Sequence, residues 1–342
     1  VQIFNGLEEI PKDFGATALT IGNFDGVHLG HQHVLTRLLE AARQREVAAV
    51  AITFDPHPAF IHRPEAVPDL LTGTGEKLAR LEAAGLDAVL VLNYTEELAG
   101  LTAEEFVATY FVEALKPAAV VVGHDVRLGR NNHGDFTTLE ELGAKHGFEV
   151  IGVDDYEIPA PDLPEVGGQS LSPRCSSTAI RTALTHGDVA AAAHMLGQPH
   201  TVTGEVVHGE ARGRELGFPT ANLSQDAEGM VPADGVYAGW VTVPEGKGGV
   251  VHRWPAAISV GSNPTFDGVA RVVEAHVIDR SDERIEDFDL YGRHIRVEFV
   301  ERLRGMVAYE GVEKLIAQMN QDVEQTRHIL AEAPAGLERP LP

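Results

Sequence analysis

Apolar β-branched runs alternate with amphipathic stretches along the first part of the chain. ATALTIG (Ala16 to Gly22) predicts a buried strand and HQHVLTRLLEAARQR (His31 to Arg45) a helix. VAAVAITF follows as a strand, EKLARLEAAG as a helix and DAVLVL as a strand. EEFVATYFVEAL predicts another helix, AAVVVG a strand, TTLEELGAKHG a helix and FEVIGV a strand. Strands alternating with helices at this spacing predict parallel βαβ units in an α/β, doubly wound parallel sheet. The Pro/Gly-rich PAPDLPEVGGQSLSP, Pro159 to Pro173, reads as a mobile loop inside this unit, because helical pattern resumes at SSTAIRTALTHG and DVAAAAHMLG. Beyond Gln198-Pro199 the pattern shifts to short strands between turns: HTVTGEVVHG, GVYAGWVTV, RWPAAISVG, VARVVEAHVID and GRHIRVEFVERL. That spacing predicts a small antiparallel β-barrel. VEKLIAQMNQDVEQTRHILAE closes the pattern as a C-terminal helix. Two domains are expected, residues 1–198 and 199–342.

Composition narrows the class. Apolar residues at 44% and charged residues at 23% are ordinary for a globular protein. No apolar run approaches the roughly 20 residues needed to cross a bilayer, so no membrane association is expected. The opening VQIFNGLEEIPKDF has neither a basic n-region nor an apolar h-region, and a secretory leader is not expected. Cys175, the one cysteine, precludes an internal disulfide and fits a reducing compartment, which points to the cytoplasm. Lys+Arg of 27 against Asp+Glu of 51 gives a formal charge of −24, which repels a nucleic-acid backbone. No nucleic-acid partner is expected, and the acidic excess reads as a solubility bias. A cleft can still focus enough field to bind small phosphate ligands. A monomer or weak homo-oligomer is the expected state.

Between the first strand and the first helix sits GNFDGVHLGH, Gly22 to His31. In a doubly wound sheet, ligands bind outside the carboxyl ends of the strands, which is where this segment falls. Gly22, Gly26 and Gly30 let backbone approach a phosphate chain, and Asp25 lies among them. His28 and His31 stand three apart at a helix start, so both can face an anion held there. Metal ligation is the competing reading, but His33 and His57 are the only other obvious ligands nearby. No Walker A sequence occurs, which argues against a P-loop nucleotidase.

GNFDGVHLGH looks like the HxGH-type signature of the nucleotidylyltransferase superfamily. Together with TFDPHP (Thr53 to Pro58), its wording resembles the bifunctional riboflavin kinase/FAD synthetase family. SSTAIRTAL (Ser176 to Leu184) resembles the superfamily's second phosphate-binding signature, although Ser-Ser-Thr alone is equally a helix cap. The resemblance implies that Gly22, Asp25, Gly26, His28, His31, Ser177, Thr178 and Arg181 bind ATP and its phosphates, His28 and His31 acting catalytically. It places His57, Asp125 and Arg127 toward the flavin. VGHDVRLGRNNHGD (Val122 to Asp135) departs from the family pattern: Val126 and Leu128 stand where aromatics are usual, which removes ring area facing isoalloxazine or adenine.

GEARGRELGFPTANL (Gly209 to Leu223) carries a glycine-bearing basic loop ahead of Pro-Thr-Ala-Asn. Thr220 and Asn222, two apart on an extended segment, share a face and suit a Mg²⁺–phosphate assembly. Ordinary turn chemistry is the bland alternative. The segment resembles the flavokinase signature, and the likeness continues through DGVYAG (Asp234 to Gly239), ISVGSNPTF (Ile258 to Phe266), VEAHVID (Val273 to Asp279) and DLYG (Asp289 to Gly292). It implies that Gly209, Arg212, Gly213 and Arg214 bind phosphate, that Thr220 ligates Mg²⁺ with Asn222 in support, and that Glu274 is the general base. A solvated strand residue is the other reading of Glu274.

The fold implied is a nucleotidylyltransferase domain followed by a riboflavin-kinase-like barrel. The activities implied are phosphorylation of riboflavin by ATP to FMN, then adenylylation of FMN by ATP to FAD and pyrophosphate. Two rivals remain at this point. A cytidylyl- or pantetheine-phosphate adenylyltransferase shares the HxGH-type sheet but leaves the second half unexplained. A riboflavin kinase whose first domain only senses nucleotide or flavin would account for Val126 and Leu128.

Overall fold

The structure, a computed structural model, describes residues 1–159, 165–166, 169–170, 174–209, 216–243, 252–265, 268–279, 290–307 and 309–332. The first half opens with β1 (Gln2–Phe4), β2 (Thr17–Ile21), α1 (Leu29–Arg45) and β3 (Ala48–Phe54). It continues through α2 (Ala59–His62), α3 (Thr74–Ala83), β4 (Ala88–Leu92), α4 (Glu96–Gly100) and α5 (Ala103–Phe106). β5 (Pro117–Gly123), α6 (Phe136–His146) and β6 (Glu149–Val153) complete the sheet. All pairings are parallel, in the order β1-β4-β3-β2-β5-β6. The strands read as near-continuous apolar runs because both faces are covered. Leu35 and Leu38 of α1 and Leu81 of α3 pack on one face, and Phe106, Phe111 and Leu139 on the other. Each such fully buried side chain contributes about 1.5–3 kcal/mol.

Two details differ from the sequence pattern. β1 pairs with β4 at the sheet edge, yet its three residues are too few to show a period. The expected EEFVATYFVEAL helix opens as α5, with a capping box between Thr102 and Glu105, and runs on in π-helical geometry over Val107–Glu113.

Within Pro159–Pro173, β7 (Glu165–Val166) and β8 (Gln169–Ser170) form a short antiparallel ribbon; residues 160–164, 167–168 and 171–173 lie outside the described residues. α7 (Ser177–Thr185) and α8 (Val189–Leu196) follow, then the barrel. Its strands are β9 (His200–Val207), β10 (Ala221–Leu223), β11 (Gly235–Val243), β12 (His252–Thr265), β13 (Gly268–Val277) and β14 (His294–Arg304). They close in the order β10-β13-β12-β11-β14-β9, every pair antiparallel. Alternation fixes which side chains enter: Ala221, Ala275, Ile258 and Tyr237 form one inward row across four strands. α9 (Val312–Glu332) lies outside, with Ile316, Met319 and Val323 packed near Phe218, Ala257 and Ile278. Arg304 grips the buried Asp322 of α9 with Nε–Oδ1 at 3.0 Å and Nη2–Oδ2 at 2.7 Å.

The halves share apolar packing. Ile180, Leu184, Met195 and Leu196 of α7 and α8 belong to the same buried cluster as Val202, Val241, Ile258 and Phe299 of the barrel.

Candidate functional site

Strand order reverses direction at β2, with β3 and β4 on one side and β5 and β6 on the other. Such a switch opens a crevice at the carboxyl ends, and the connections after β2 and β5 border it. Gly22 directly follows β2, its N–H bonded to the Ile52 carbonyl at 3.1 Å. Gly26 adopts φ +83°, and a Cβ there would come within 2.9 Å of Leu71, so glycine is required.

His28 is the N-cap of α1, which begins at Leu29, two residues before the helix expected from sequence. Its Nδ1 accepts from the His31 N–H at 3.3 Å, which leaves the proton of a neutral ring on Nε2. The His28 and His31 rings stack at 3.7 Å and 19°. His28 is buried, and its pKa is pushed down to about 4 by burial first, then by Arg174 and Arg181. Burial, then His28, likewise lowers His31. Both rings are therefore neutral donors near pH 7.

Asp25 organises the rest. Its buried carboxylate accepts from Leu71 N at 2.9 Å and Thr72 N at 3.2 Å, and pairs with Arg181 of α7. The Asp25 carbonyl accepts from Ser177 Oγ at 3.0 Å, while Arg181 Nε donates to the Asp69 carbonyl at 2.8 Å. Ser177 and Thr178 do open a helix, with Ser176 as its cap accepting from Ala179 N–H. Thr178 is exposed on its first turn. His57 sits within the electrostatic reach of Asp25 and Arg181, its pKa lowered mainly by burial, and its Nδ1 accepts from Ala59 N. The structure thus gathers Gly22, Asp25, Gly26, His28, His31, His57, Ser177 and Arg181. Asp125 joins indirectly: it pairs with Arg174, whose charge acts on His28. Arg127 stays apart, exposed, with Nη1 on the Val126 carbonyl at 2.8 Å.

Sequence reading missed two cations here. Arg174 precedes the Ser-Ser-Thr signature and bonds Asp155 at 3.2 Å as well as Asp125. Lys77 is buried, donating Nζ to the Phe54 carbonyl at 2.8 Å, with Asp55 and Asp25 opposing the effect of burial on its charge. Arg174 could have been found by its place beside the signature; nothing local marks Lys77.

The second cluster lies on the barrel's outer face. One residue out of step with the inward row, Asn222 of β10 pairs with Glu274 of β13, which pairs with Ser259 of β12. Directly paired residues project to the same side, so Asn222, Glu274 and Ser259 form one row. Thr220 lies two residues before Asn222, and Asn222 Nδ2 reaches Thr220 Oγ1 at 3.4 Å. His276 Nδ1 donates to the Pro219 carbonyl at 2.8 Å and steadies the approach to β10, a role the VEAHVID pattern hides. Gly209 lies against Asn222, where a Cβ would come within 2.6 Å of the amide. Arg212, Gly213 and Arg214 lie outside the described residues. Among the described residues, no group of three or more His, Cys, Asp or Glu is arranged to hold a metal ion. The Thr220 hydroxyl and Asn222 amide oxygen, beside the Glu274 carboxylate, are the hard oxygen donors that suit a small divalent cation shared with phosphate.

A family model described as FAD synthetase matches residues 10–162, and one described as riboflavin kinase matches residues 196–330. The chain is 34% identical over 322 residues to the bifunctional riboflavin kinase/FMN adenylyltransferase of Escherichia coli (strain K12), covering 94% of this chain and 95% of that protein. It is 33% identical over 332 residues to the protein of the same name from Pseudomonas fluorescens, covering 97% and 98%. A crystal structure described as a macrolide-efflux protein from Streptococcus pneumoniae superposes with a TM-score of 0.79 at 31% identity, over 95% of this chain and 98% of that one. Among the described residues of the present chain, no helix is long and apolar enough to cross a membrane.

Proposed function

The chain belongs to the bifunctional riboflavin kinase/FMN adenylyltransferase family, and on that premise we propose how its two clusters divide the work. The enzyme phosphorylates riboflavin with ATP to FMN, then adenylylates FMN with ATP to FAD and pyrophosphate.

The sheet half, residues 1–198, performs adenylyl transfer in this reading. The FMN phosphate attacks the α-phosphorus of ATP, so the pocket must hold the β- and γ-phosphates as they leave. Neutral His28 presents Nε2–H toward that charge, with His31 stacked beside it. Asp25 orients Arg181 as the guanidinium clamp, and Ser177 and Thr178 offer the N-terminus of α7. Gly22 and Gly26 allow close backbone approach. His57, Asp125 and Arg127 are assigned to the flavin end.

The barrel half, residues 199–342, is assigned riboflavin phosphorylation. Glu274 takes the proton from the 5′-hydroxyl of the ribityl chain, and that oxygen attacks the γ-phosphorus in line. Thr220 and Asn222 hold Mg²⁺, which offsets phosphate charge when bound. Gly209, Arg212, Gly213 and Arg214 are assigned to the phosphates. ATP, riboflavin and FMN are the partners, in a cytoplasmic monomer or weak homo-oligomer.

The observation carrying this division is that Asn222 and Glu274 are cross-strand partners in the closed barrel, whereas the histidine stack starts α1 after β2 of the parallel sheet. Incubation with riboflavin, ATP and Mg²⁺, with chromatographic separation of products, is expected to give FMN first and FAD later. FMN that accumulates with no FAD would overturn the assignment of the sheet half.

A further inference from the structure

The posture of the turn from Gly22 to His28 is set from behind by one short stretch of chain. Leu71 N and Thr72 N donate to Asp25 Oδ1 at 2.9 and 3.2 Å. Gly26 N donates to Thr72 Oγ1 at 3.2 Å, and Arg80 Nη1 donates to the Gly26 carbonyl at 2.9 Å. Leu71 and Thr72 lead into α3, and Arg80 lies on it. The turn is therefore gripped at both sides of one peptide residue, through its N–H and its carbonyl.

The same stretch is clasped by the barrel. Arg80 Nη2 donates to Thr201 Oγ1 of β9 at 2.9 Å. Arg80 Nε donates to Glu76 Oε1 at 2.8 Å, and that oxygen also accepts from Arg296 Nη2 of β14 at 2.8 Å. Glu228, in the turn after β10, lies over the start of α3 so closely that a Cβ on Gly73 would fall 1.7 Å from its carboxylate. Arg80 is 6% exposed and Thr201 2% exposed, so water is kept from the bond between them, whereas Arg296 is one-third exposed at the rim of the junction. The three guanidinium nitrogens of Arg80 each have a different destination: the glycine turn, α3 and the barrel.

A buried ion pair is a poor device for stability alone, since apolar side chains of similar volume commonly do as well or better. What the planar guanidinium adds is fixed geometry among its partners. We propose that Arg80 is a positioning residue for adenylyl transfer, and that the barrel sets its orientation through Thr201 and the Glu76–Arg296 pair. The barrel thereby supports the geometry of the first site as well as carrying the second. The inference rests on reading the Gly22–His28 turn as the adenylyl-transfer site.

The test uses the full chain and compares both reactions in each variant. Thr201→Val removes the acceptor of Arg80 at nearly constant volume, and Thr201→Ser restores it with a smaller side chain. Arg296→Met uncouples Glu76 from β14. In Thr201→Val and Arg296→Met, kcat for FAD formation is expected to fall by about tenfold, through misplacement of the turn, with riboflavin phosphorylation changed less than about twofold. Thr201→Ser is expected to recover most of the loss, which a packing role would not allow. Retention of FAD formation in both Thr201→Val and Arg296→Met, or parallel loss of both reactions, overturns the proposal. Absence of FAD formation by the unaltered chain would instead overturn the activity assigned to the turn, so the two failures are distinguishable.

Discussion

The sheet half assembles its site from connections, whereas the barrel half assembles its site from strand faces. His28, Asp25, His57, Ser177 and Arg181 come from separate segments and are held together by side-chain bonds such as Asp25–Arg181 and Ser177–Asp25. For Asn222 and Glu274 the backbone ladder between β10 and β13 sets the spacing. The first arrangement tunes charge and protonation finely but depends on many partners. The second is simple and depends on register.

The contrast can be broken most sharply at His28. Replacing it with Ala removes the neutral Nε2–H donor and is expected to lower kcat for FAD formation by about 100- to 1,000-fold, leaving FMN formation near that of the unaltered protein. Separate initial-rate assays for the two products check this; equal loss of both would mean the halves do not act separately. Glu274→Gln sharpens the comparison from the other side. It keeps shape and register but cannot accept the hydroxyl proton, and kcat for riboflavin phosphorylation is expected to fall by about 100-fold with little change in KM. A change confined to KM would remove Glu274 from the role of base.

The smallest effect concerns a feature the halves share. Each buries one histidine whose pKa is lowered to about 4. For His28 the causes are burial and then two arginines; for His200, the first residue of β9, with Nε2 on the Met230 carbonyl at 2.6 Å, burial dominates. An unfolded imidazole titrates near 6.5, so between about pH 6.5 and 4 the unfolded chain binds protons that the folded chain refuses. Stability is then complete above about pH 6.5 and is lost progressively as pH falls toward 4. Thermal unfolding midpoints are expected to drop across that window, less steeply in His200→Gln. A midpoint that rises on acidification would contradict the assignment.

The alternation of strand and helix, the barrel and both motifs were legible because they are local: GNFDGVHLGH carries its glycines and histidines within ten residues. The pairing of Asn222 with Glu274 was legible only as two motifs, since register is a property of two strands and neither sequence states it. Asp25 could be seen as part of a signature but not as the anchor for Leu71, Thr72 and Arg181, contacts that span 46 to 156 residues. Arg80 carries no local mark at all: on α3 it reads as an ordinary helix-surface arginine next to Glu76, and its buried partners, the Gly26 carbonyl and Thr201, are distant in sequence. Val126 and Leu128 both pack with the second face of the sheet core, Leu128 buried, so their apolar character has a structural use whatever they lose in ring area.

α7 and α8 serve both halves at once. Arg181 and Ser177 reach back to Asp25, while Ile180, Leu184, Met195 and Leu196 on the same helices pack with the barrel interior. The two activities are consequently not interchangeable cassettes. A cut before α7 would strip the adenylylating fragment of its clamp, and a cut after α8 would leave that fragment with a bare greasy surface. Any recombination of halves between relatives would have to carry this helical pair together with complementary surfaces on both neighbours.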